Sequence, residues 1–223
     1  MNLLEMYIKG GVVMHPILLL SIVGLYIIIE RWLTIRAAKP TSAQFHIKLR
    51  VFLESRSIQK ARDYCLKENT PASRIVAAGL EKVSHGPSRV RQAMEDQGRE
   101  EITTLERHLG ILASIGGIAP MLGFLGTVTG LISAFQAVAA ASGQPAPSDL
   151  ADGIWEALIT TVFGLVVGIP ASGVYNYFIS NIHGISASLE RVGRDALDLI
   201  EECLFEGNAL HHSVKTSEKE SGL

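Results

Sequence analysis

Three long apolar runs constrain the fold of this chain more than any other feature of its sequence. They comprise residues 12–29, 109–141 and 154–182. A helix needs roughly 20 predominantly apolar residues to cross the hydrocarbon core of a bilayer, and each run approaches or exceeds that length. Because only helices and closed barrels satisfy their backbone groups in lipid, the runs predict an all-α membrane protein with three transmembrane helices.

The composition agrees with a membrane protein and argues against several other classes. The chain has 48% apolar residues and 21 glycines, which concentrate in the apolar runs. Its net charge of −2 offers no global attraction to nucleic acid. Cys65 and Cys203 match no metal or redox spacing and are interpreted as free thiols. No hydrolase elbow or zinc-protease motif is present, so we expect neither an enzyme, nor a metal site, nor a cofactor.

The distribution of Lys and Arg predicts the orientation in the membrane. Fifteen of them lie between Arg31 and Arg107, whereas Lys9 alone precedes the first apolar run and none lies in residues 142–153. Positive charge accumulates on the cytoplasmic side, so the N-terminus is predicted outside the cytoplasm and the C-terminus inside. A cleaved signal peptide begins with a positively charged segment, whereas the segment before this apolar run contains Glu5 and a single Lys. The first run is therefore expected to persist as a helix.

These features predict eight segments along the chain. Between the runs at 12–29, 109–141 and 154–182 we expect an extracytoplasmic leader at 1–11, a cytoplasmic helical domain at 30–108, an extracytoplasmic loop at 142–153, a cytoplasmic helix at 183–206 and a disordered tail at 207–223. Pro and Gly signals near residues 69–71 and 85–88 predict breaks in the cytoplasmic domain. Beyond them, helical spacing continues into the second apolar run, so long cytoplasmic helical extensions are expected.

Glu156 is the residue of these runs with the clearest chemical potential. It is the only Asp, Glu, Lys or Arg between Arg107 and Glu190 that lies inside an apolar run. A charge at the bilayer centre costs roughly 2.5–3.5 kcal/mol on insertion scales, so such a residue faces protein or water and has a function there. Proton or ion handling is the first hypothesis.

Small residues and prolines in the second and third runs predict close helix packing. Gly126 and Gly130 form one small-xxx-small pair, and Gly164 with Gly168 forms another. Pro120 and Pro170 each remove a helix hydrogen bond, which is compatible with either a hinge or passive tolerance.

Hydroxyl groups accompany the glycines. Thr127 and Thr161 lie in the second and third runs, and intramembrane threonines usually bond back to their own helix. Nearness to a carboxylate makes a functional role possible for both.

At this point the residues resemble a known family. The segments APMLGFLGTVTGLISAF and GIWEALITTVFGLVVGIPASGVYNYF are similar to the core signature of the MotA/TolQ/ExbB proton-channel family. The N-terminal stretch GGVVMHPILLLSIVGLYIIIER is similar to the first helix of its ExbB/TolQ branch. Three helices favour that branch over the four-helix flagellar stator proteins.

The resemblance implies a function that the spacing of residues does not. Members form pentamers in the bacterial inner membrane around a small single-pass partner, ExbD or TolR, whose Asp carries protons. The resulting motion drives a TonB-like or TolA-like protein that acts on the outer membrane. Carried over to this chain, Thr127 and Thr161 line the pore, and Glu156 is the acidic position near them.

Two alternatives stay open. Thr160 adds a second hydroxyl beside Thr161, which leaves a sodium-type site possible, although protons are the ion expected. A membrane scaffold without an ion pathway, in which Glu156 bonds a neighbouring helix, is the competing function. The resemblance does not distinguish a TonB-linked from a Tol-linked system.

Overall fold

The computed structural model describes residues 3–38, 43–140 and 147–206, and the regular elements in these ranges are all helices. The α-helices are α1 (Leu3–Lys9), α2 (Met14–Ala37), α3 (Ala43–Glu54), α4 (Ile58–Glu68), α5 (Pro71–Glu81), α6 (Pro87–Glu106), α7 (Leu109–Ala140) and α8 (Pro147–Ile200). A 3-10 turn at Val83–His85 and a π-helical turn at Glu201–Glu206 complete them. The predicted tail at 207–223 lies outside the described residues.

Three of these helical stretches are long and apolar enough to cross a membrane, and they contain α2, α7 and α8. The predicted all-α fold with three membrane helices and long helical extensions is therefore confirmed. Helix α8 begins at Pro147, inside the segment predicted as a loop, and proline is typical of a first helical position. Residues before the first apolar run form the short helix α1.

The chain divides into two compact units. The first comprises Met1–Leu33 with Glu106–Ser180, and the second comprises Thr34–Leu105 with Asn181–Leu223. In the first unit, α2 packs on α7 where Gly24 meets Ile115. Large apolar side chains on the outer faces of α2, α7 and α8 are exposed in the isolated chain, among them Leu19, Ile22, Met121, Phe124, Phe135, Val166 and Ile169. Faces of this kind suit lipid or neighbouring subunits.

The second unit is a helical bundle with a core like that of a soluble protein. Its buried side chains come from α3 to α6, from the end of α8 and from the π-helical turn after it: Phe45, Leu49, Leu53, Ala61, Cys65, Ile75, Val76, Leu80, Val90, Met94, Leu189, Val192, Leu197, Ile200 and Leu204. Burial raises the pKa of the Cys65 thiol to about 12, so it stays protonated and unreactive near neutral pH. Both cysteines are free.

The breaks expected near residues 69–71 and 85–88 both occur. Asn69 ends α4 in the left-handed conformation, and Thr70 caps α5 by accepting a hydrogen bond from the Ser73 amide at 3.2 Å. The Ser73 hydroxyl accepts one from the Thr70 amide at 2.9 Å, and Pro71 occupies the first helical position. Local turn chemistry therefore places these breaks.

The expected helical stretch from the cytoplasmic domain into the second membrane helix occurs as Pro87–Ala140, but a two-residue turn interrupts it, since α6 ends at Glu106 and α7 begins at Leu109. His108 adopts a φ of +65° between them, and its carbonyl accepts hydrogen bonds from the amides of Ile111 and Leu112. Its ring nitrogen Nδ1 lies 3.0 Å from Glu30 Oε2. Glu30 also bonds the guanidinium of Arg31, which is 4% exposed. This contact with α2 helps to hold an uncommon backbone conformation that sequence periodicity does not reveal.

An ion pair ties α5 to α6 in the second unit. Arg74 donates to both carboxylate oxygens of Glu101, at 2.7 and 2.6 Å, and Glu101 is 6% exposed. Gln97 donates to the same carboxylate at 3.0 Å. The hydrogen bonds to Glu101 raise the pKa of Arg74 above its ordinary value. A bidentate pair with one buried partner is sensitive to removal of either charge.

We expect Glu101→Gln to lower the free energy of unfolding by about 2 kcal/mol, since it leaves Arg74 without its counter-charge in a partly buried site. Glu190→Gln is the matched control, because the Arg194–Glu190 pair is 3.8 Å apart and both side chains are about two-thirds exposed. Its effect should stay within about 0.5 kcal/mol. Chemical denaturation in detergent measures both variants, and equal effects would contradict the structural role of Glu101.

Candidate functional site

Helices α7 and α8 contact each other along a row of small residues, here called the seam. On α7 its buried members are Gly116, Ala119, Gly123, Gly126, Gly130 and Ala134. Facing them on α8 are Gly153, Ala157, Thr160, Gly164, Gly168 and Ser172. Recurrence every three or four residues puts each set on one helix face.

The backbones at the seam approach so closely that several positions have no room for a side chain. A β-carbon on Gly164 would lie 2.6 Å from the carbonyl oxygen of Ala119, and one on Gly130 would lie 2.7 Å from that of Gly153. Thr160 covers Gly126. Glycine at these positions allows the two helices to pack backbone against backbone.

The two prolines lie inside α7 and α8, and both helices continue through them. Pro120 contacts the seam: a β-carbon on Gly168 would lie 2.5 Å from its ring and 3.0 Å from the carbonyl oxygen of Gly116. That carbonyl is the one that Pro120 deprives of its helical donor. Pro170 is exposed. A hinge role for either proline stays a prediction.

We expect Gly164→Ala to destabilise the α7–α8 pair by about 1–3 kcal/mol, because the added methyl meets backbone atoms that cannot rotate away. Gly173→Ala is the matched control in the same helix, since no atom lies within 4 Å of a β-carbon built there. Thermal unfolding of the detergent-solubilised protein compares them. Equal midpoints for the two variants would show that the seam is not tightly packed.

Thr160 and Thr161 use their hydroxyls within the helix pair. Thr160 is 1% exposed, and its Oγ1 donates to the carbonyl oxygen of Ala157 at 2.9 Å. Thr161 is half-buried; its Oγ1 lies 3.3 Å from the same carbonyl and 3.2 Å from the carbonyl oxygen of Gly123 on α7. Thr161 therefore links the two helices, whereas Thr160 fills the space above Gly126.

Thr127 behaves as an isolated intramembrane threonine. It is half-buried on α7, and its hydroxyl donates at 2.6 Å to the carbonyl oxygen of Phe124 in its own helix. This is the back-bonding pattern that threonines commonly show inside helices. The hydroxyl oxygen keeps its acceptor capacity for another group.

We expect Thr161→Val to cost about 1 kcal/mol of stability, since it removes a hydrogen bond between two helices and keeps the side-chain shape. Thr127→Val removes only a bond within one helix and should change stability by less than about 0.5 kcal/mol. Unfolding of the two purified variants in the same detergent measures the difference. A larger loss for Thr127→Val would contradict the inter-helix role of Thr161.

Glu156 lies near the start of the third apolar run, one turn before Thr160. It is half-buried, and its carboxylate rests on Gly11 in the turn between α1 and α2. The hydroxyls of Thr127, Thr160 and Thr161 donate to backbone carbonyls instead of to this carboxylate. The described residues add a contact with the α1–α2 turn to the surroundings of Glu156, and the predicted role of the three hydroxyls beside it stays a prediction.

A cavity of about 410 Å³ opens beside the Glu156 carboxylate. Its lining consists of Lys9, Ser133, Asp152, Gly153, Trp155 and Glu156. Lys9 Nζ lies 3.9 Å from Asp152 Oδ1, and both side chains are more than half exposed, so this pair is weakly coupled. A cavity of this volume with Lys9, Ser133 and Asp152 in its lining has room for several waters. A carboxylate at its edge can exchange a proton with water while its helix continues into apolar surroundings.

The sequence did not predict that the turn between α1 and α2 contacts Glu156. The signal available was Gly10–Gly11, a turn dipeptide immediately before the first apolar run. Nothing in the sequence connects that turn to α8. Among the described residues, no group of three or more His, Cys, Asp or Glu side chains is placed to hold a metal ion.

Comparison with known proteins identifies the family. Residues 67–191 match the profile of the MotA/TolQ/ExbB proton channel family. The chain belongs to this family. The match covers the whole seam, Pro120, Pro170 and Glu156.

Individual relatives of the MotA/TolQ/ExbB family extend the similarity over most of the chain. The protein named ExbB-like 1 of Synechocystis sp. is 36% identical over 183 residues, which cover 80% of this chain and 71% of that protein. The biopolymer transport protein ExbB of Pseudomonas putida is 30% identical over 73% of this chain and 53% of its own length. The Tol-Pal system protein TolQ of Haemophilus influenzae is 27% identical over 83% and 87%.

Proposed function

We propose that this chain is the channel-forming subunit of an inner-membrane motor driven by the proton gradient. The observation that carries the proposal is Glu156, a carboxylate in an apolar helix at the edge of a cavity that Lys9 and Asp152 also line. Membership of a proton channel family supplies the ion. A membrane scaffold without an ion pathway would have no need for a carboxylate in contact with water.

The proposal includes partners and an assembly. Five copies of the chain surround the membrane helices of two copies of an ExbD-like or TolR-like protein, whose Asp accepts and releases the proton. The motion is passed to a TonB-like or TolA-like protein that acts on the outer membrane. Similarity to proteins named ExbB and TolQ supports this arrangement. The exposed apolar faces of α2, α7 and α8 provide surface for lipid and for neighbouring subunits.

The threonines divide into two roles in this proposal. Thr127 and Thr161 are half-buried in the single chain and contribute to the wall of the pathway. Thr160 is buried against Gly126 and supports that wall from the seam. One charge crossing 100 mV releases about 2.3 kcal/mol, which suffices to shift packed helices between two arrangements but not to unpack them.

The orientation follows from the charge distribution. The distribution of Lys and Arg supports a cytoplasmic location for residues 30–108 and the C-terminus, and an extracytoplasmic location for the N-terminus and residues 142–153. Glu156 then stands where protons enter from the outside.

We expect Glu156→Ala and Glu156→Gln to abolish proton-driven activity while leaving membrane insertion and assembly intact, because neither side chain can carry or attract a proton there. Glu190→Gln is the matched control, a carboxylate of the same helix outside the apolar run. Activity is measured as rescue of energy-dependent transport or envelope integrity in cells lacking the native chain. Membrane fractionation and native electrophoresis check the amount and assembly of each variant.

Full activity of both Glu156 variants would contradict the proposal. A scaffold without an ion pathway predicts that Glu156→Gln is silent and that any defect follows the loss of protein. Replacing sodium by potassium in the assay separates the ions, since a proton pathway keeps its activity and a sodium pathway through Thr160 loses it.

A further inference from the structure

The turn between α1 and α2 is packed directly on α8. Gly10 lies against the Met14 side chain. A β-carbon added to Gly10 would lie 3.3 Å from the Ile159 side chain of α8. Met14 is 2% exposed, and the His15 ring contacts both the Val12 carbonyl, at 3.1 Å, and the Tyr7 ring. The contact with Ile159 places the turn against the segment of α8 that carries Glu156, and the contacts of Met14 and His15 hold the turn itself.

Gly11 meets two independent requirements in that turn. Its φ of +65° lies in the left-handed region, where a side chain is strained. In addition, a β-carbon on Gly11 would overlap the Oε1 atom of Glu156 and come within 2.9 Å of its carboxyl carbon. The backbone of the turn is therefore the surface on which the Glu156 carboxylate rests.

Gly86 shows that the two requirements are separable. It also has a positive φ, +93°, yet no atom lies within 4 Å of a β-carbon built on it. At Gly86 only the backbone conformation favours glycine. At Gly11 it also leaves the space that the carboxylate occupies.

We propose that Gly11 is a positioning residue for Glu156, holding its carboxylate at the edge of the cavity shared with Lys9, Ser133 and Asp152. A side chain at residue 11 pushes the carboxylate away from this place. The consequence for activity rests on the proposed function of Glu156, whereas the contact itself does not. The α1–α2 turn thereby becomes part of the site, although it lies about 145 residues from Glu156 in the sequence.

A stability cycle tests the contact independently of function. Gly11→Ala is measured in the native background and in the Glu156→Asp background, where the carboxylate is one methylene shorter and retracts from the turn. Thermal unfolding in detergent should show a slightly larger loss of midpoint in the native background, a small difference because the overlapping atoms are the end of a flexible side chain. Gly86→Ala, the control for backbone strain, should lose the same amount in both backgrounds. Equal losses for Gly11→Ala in both backgrounds would overturn the contact.

The same variants test the positioning role by rescue. In the cell-based assay Gly11→Ala should reduce activity on the order of tenfold, as expected for a displaced reacting group, while Gly86→Ala retains it. In the Glu156→Asp background Gly11→Ala should cause no further loss. An equal fractional loss in both backgrounds would show that residue 11 acts through its backbone conformation only, and would overturn the proposal.

The outcomes distinguish this inference from the proposed function. If Glu156→Ala and Glu156→Gln are both fully active, the proposed function fails, and the stability cycle still decides whether Gly11 holds the carboxylate. If Glu156→Gln is inactive but Gly11→Ala is as active as Gly86→Ala, the function stands and the positioning role is wrong. If Glu156→Asp is itself inactive, coupling in the stability cycle together with loss of activity in Gly11→Ala supports the inference, and absence of coupling overturns it.

Discussion

The backbone contact between α7 and α8 is the constraint on which the rest of the first unit depends. Small residues occupy the seam, so the two helices approach until backbone atoms of one touch the other, as at Gly164 and Ala119. Lipid offers no hydrophobic gain for association, so dispersion and close polar contacts such as Thr161 to Gly123 hold the pair. With one face filled by glycine and alanine, the larger apolar side chains lie on the other faces, available to lipid and to further subunits.

A carboxylate near the end of such a helix pair is stable only where it reaches water or a polar neighbour. Glu156 borders a cavity, and its carboxylate contacts the turn before α2. The α1–α2 turn and the α7–α8 seam thus approach the same short stretch of α8 from different elements. In this chain the carboxylate proposed to handle ions therefore lies between a cavity and the α1–α2 turn. Gly11 is the residue of that turn that approaches it most closely.

The second unit follows the rules of soluble helical bundles. Its helices are amphipathic, its core is apolar, and its breaks come from residues with strong turn preferences such as Asn69 and Pro71. These elements were predictable because propensity and periodicity are local properties of the chain. The break at His108 was not predictable, since the residue is neither glycine nor proline and its conformation is accompanied by a hydrogen bond to Glu30, 78 positions away.

The sequence by itself determined the three membrane helices, the all-α class, the family and the presence of a charge in an apolar run, since each depends on length, hydropathy or a contiguous motif. It also indicated which glycines permit close packing. Only the tertiary structure decided what surrounds Glu156. The hydroxyls of Thr127, Thr160 and Thr161 donate to backbone carbonyls, and Gly11 of the α1–α2 turn is in contact with the carboxylate. The physical reason is that a side chain's neighbours depend on how distant segments pack, and helical periodicity specifies a face without specifying what covers it.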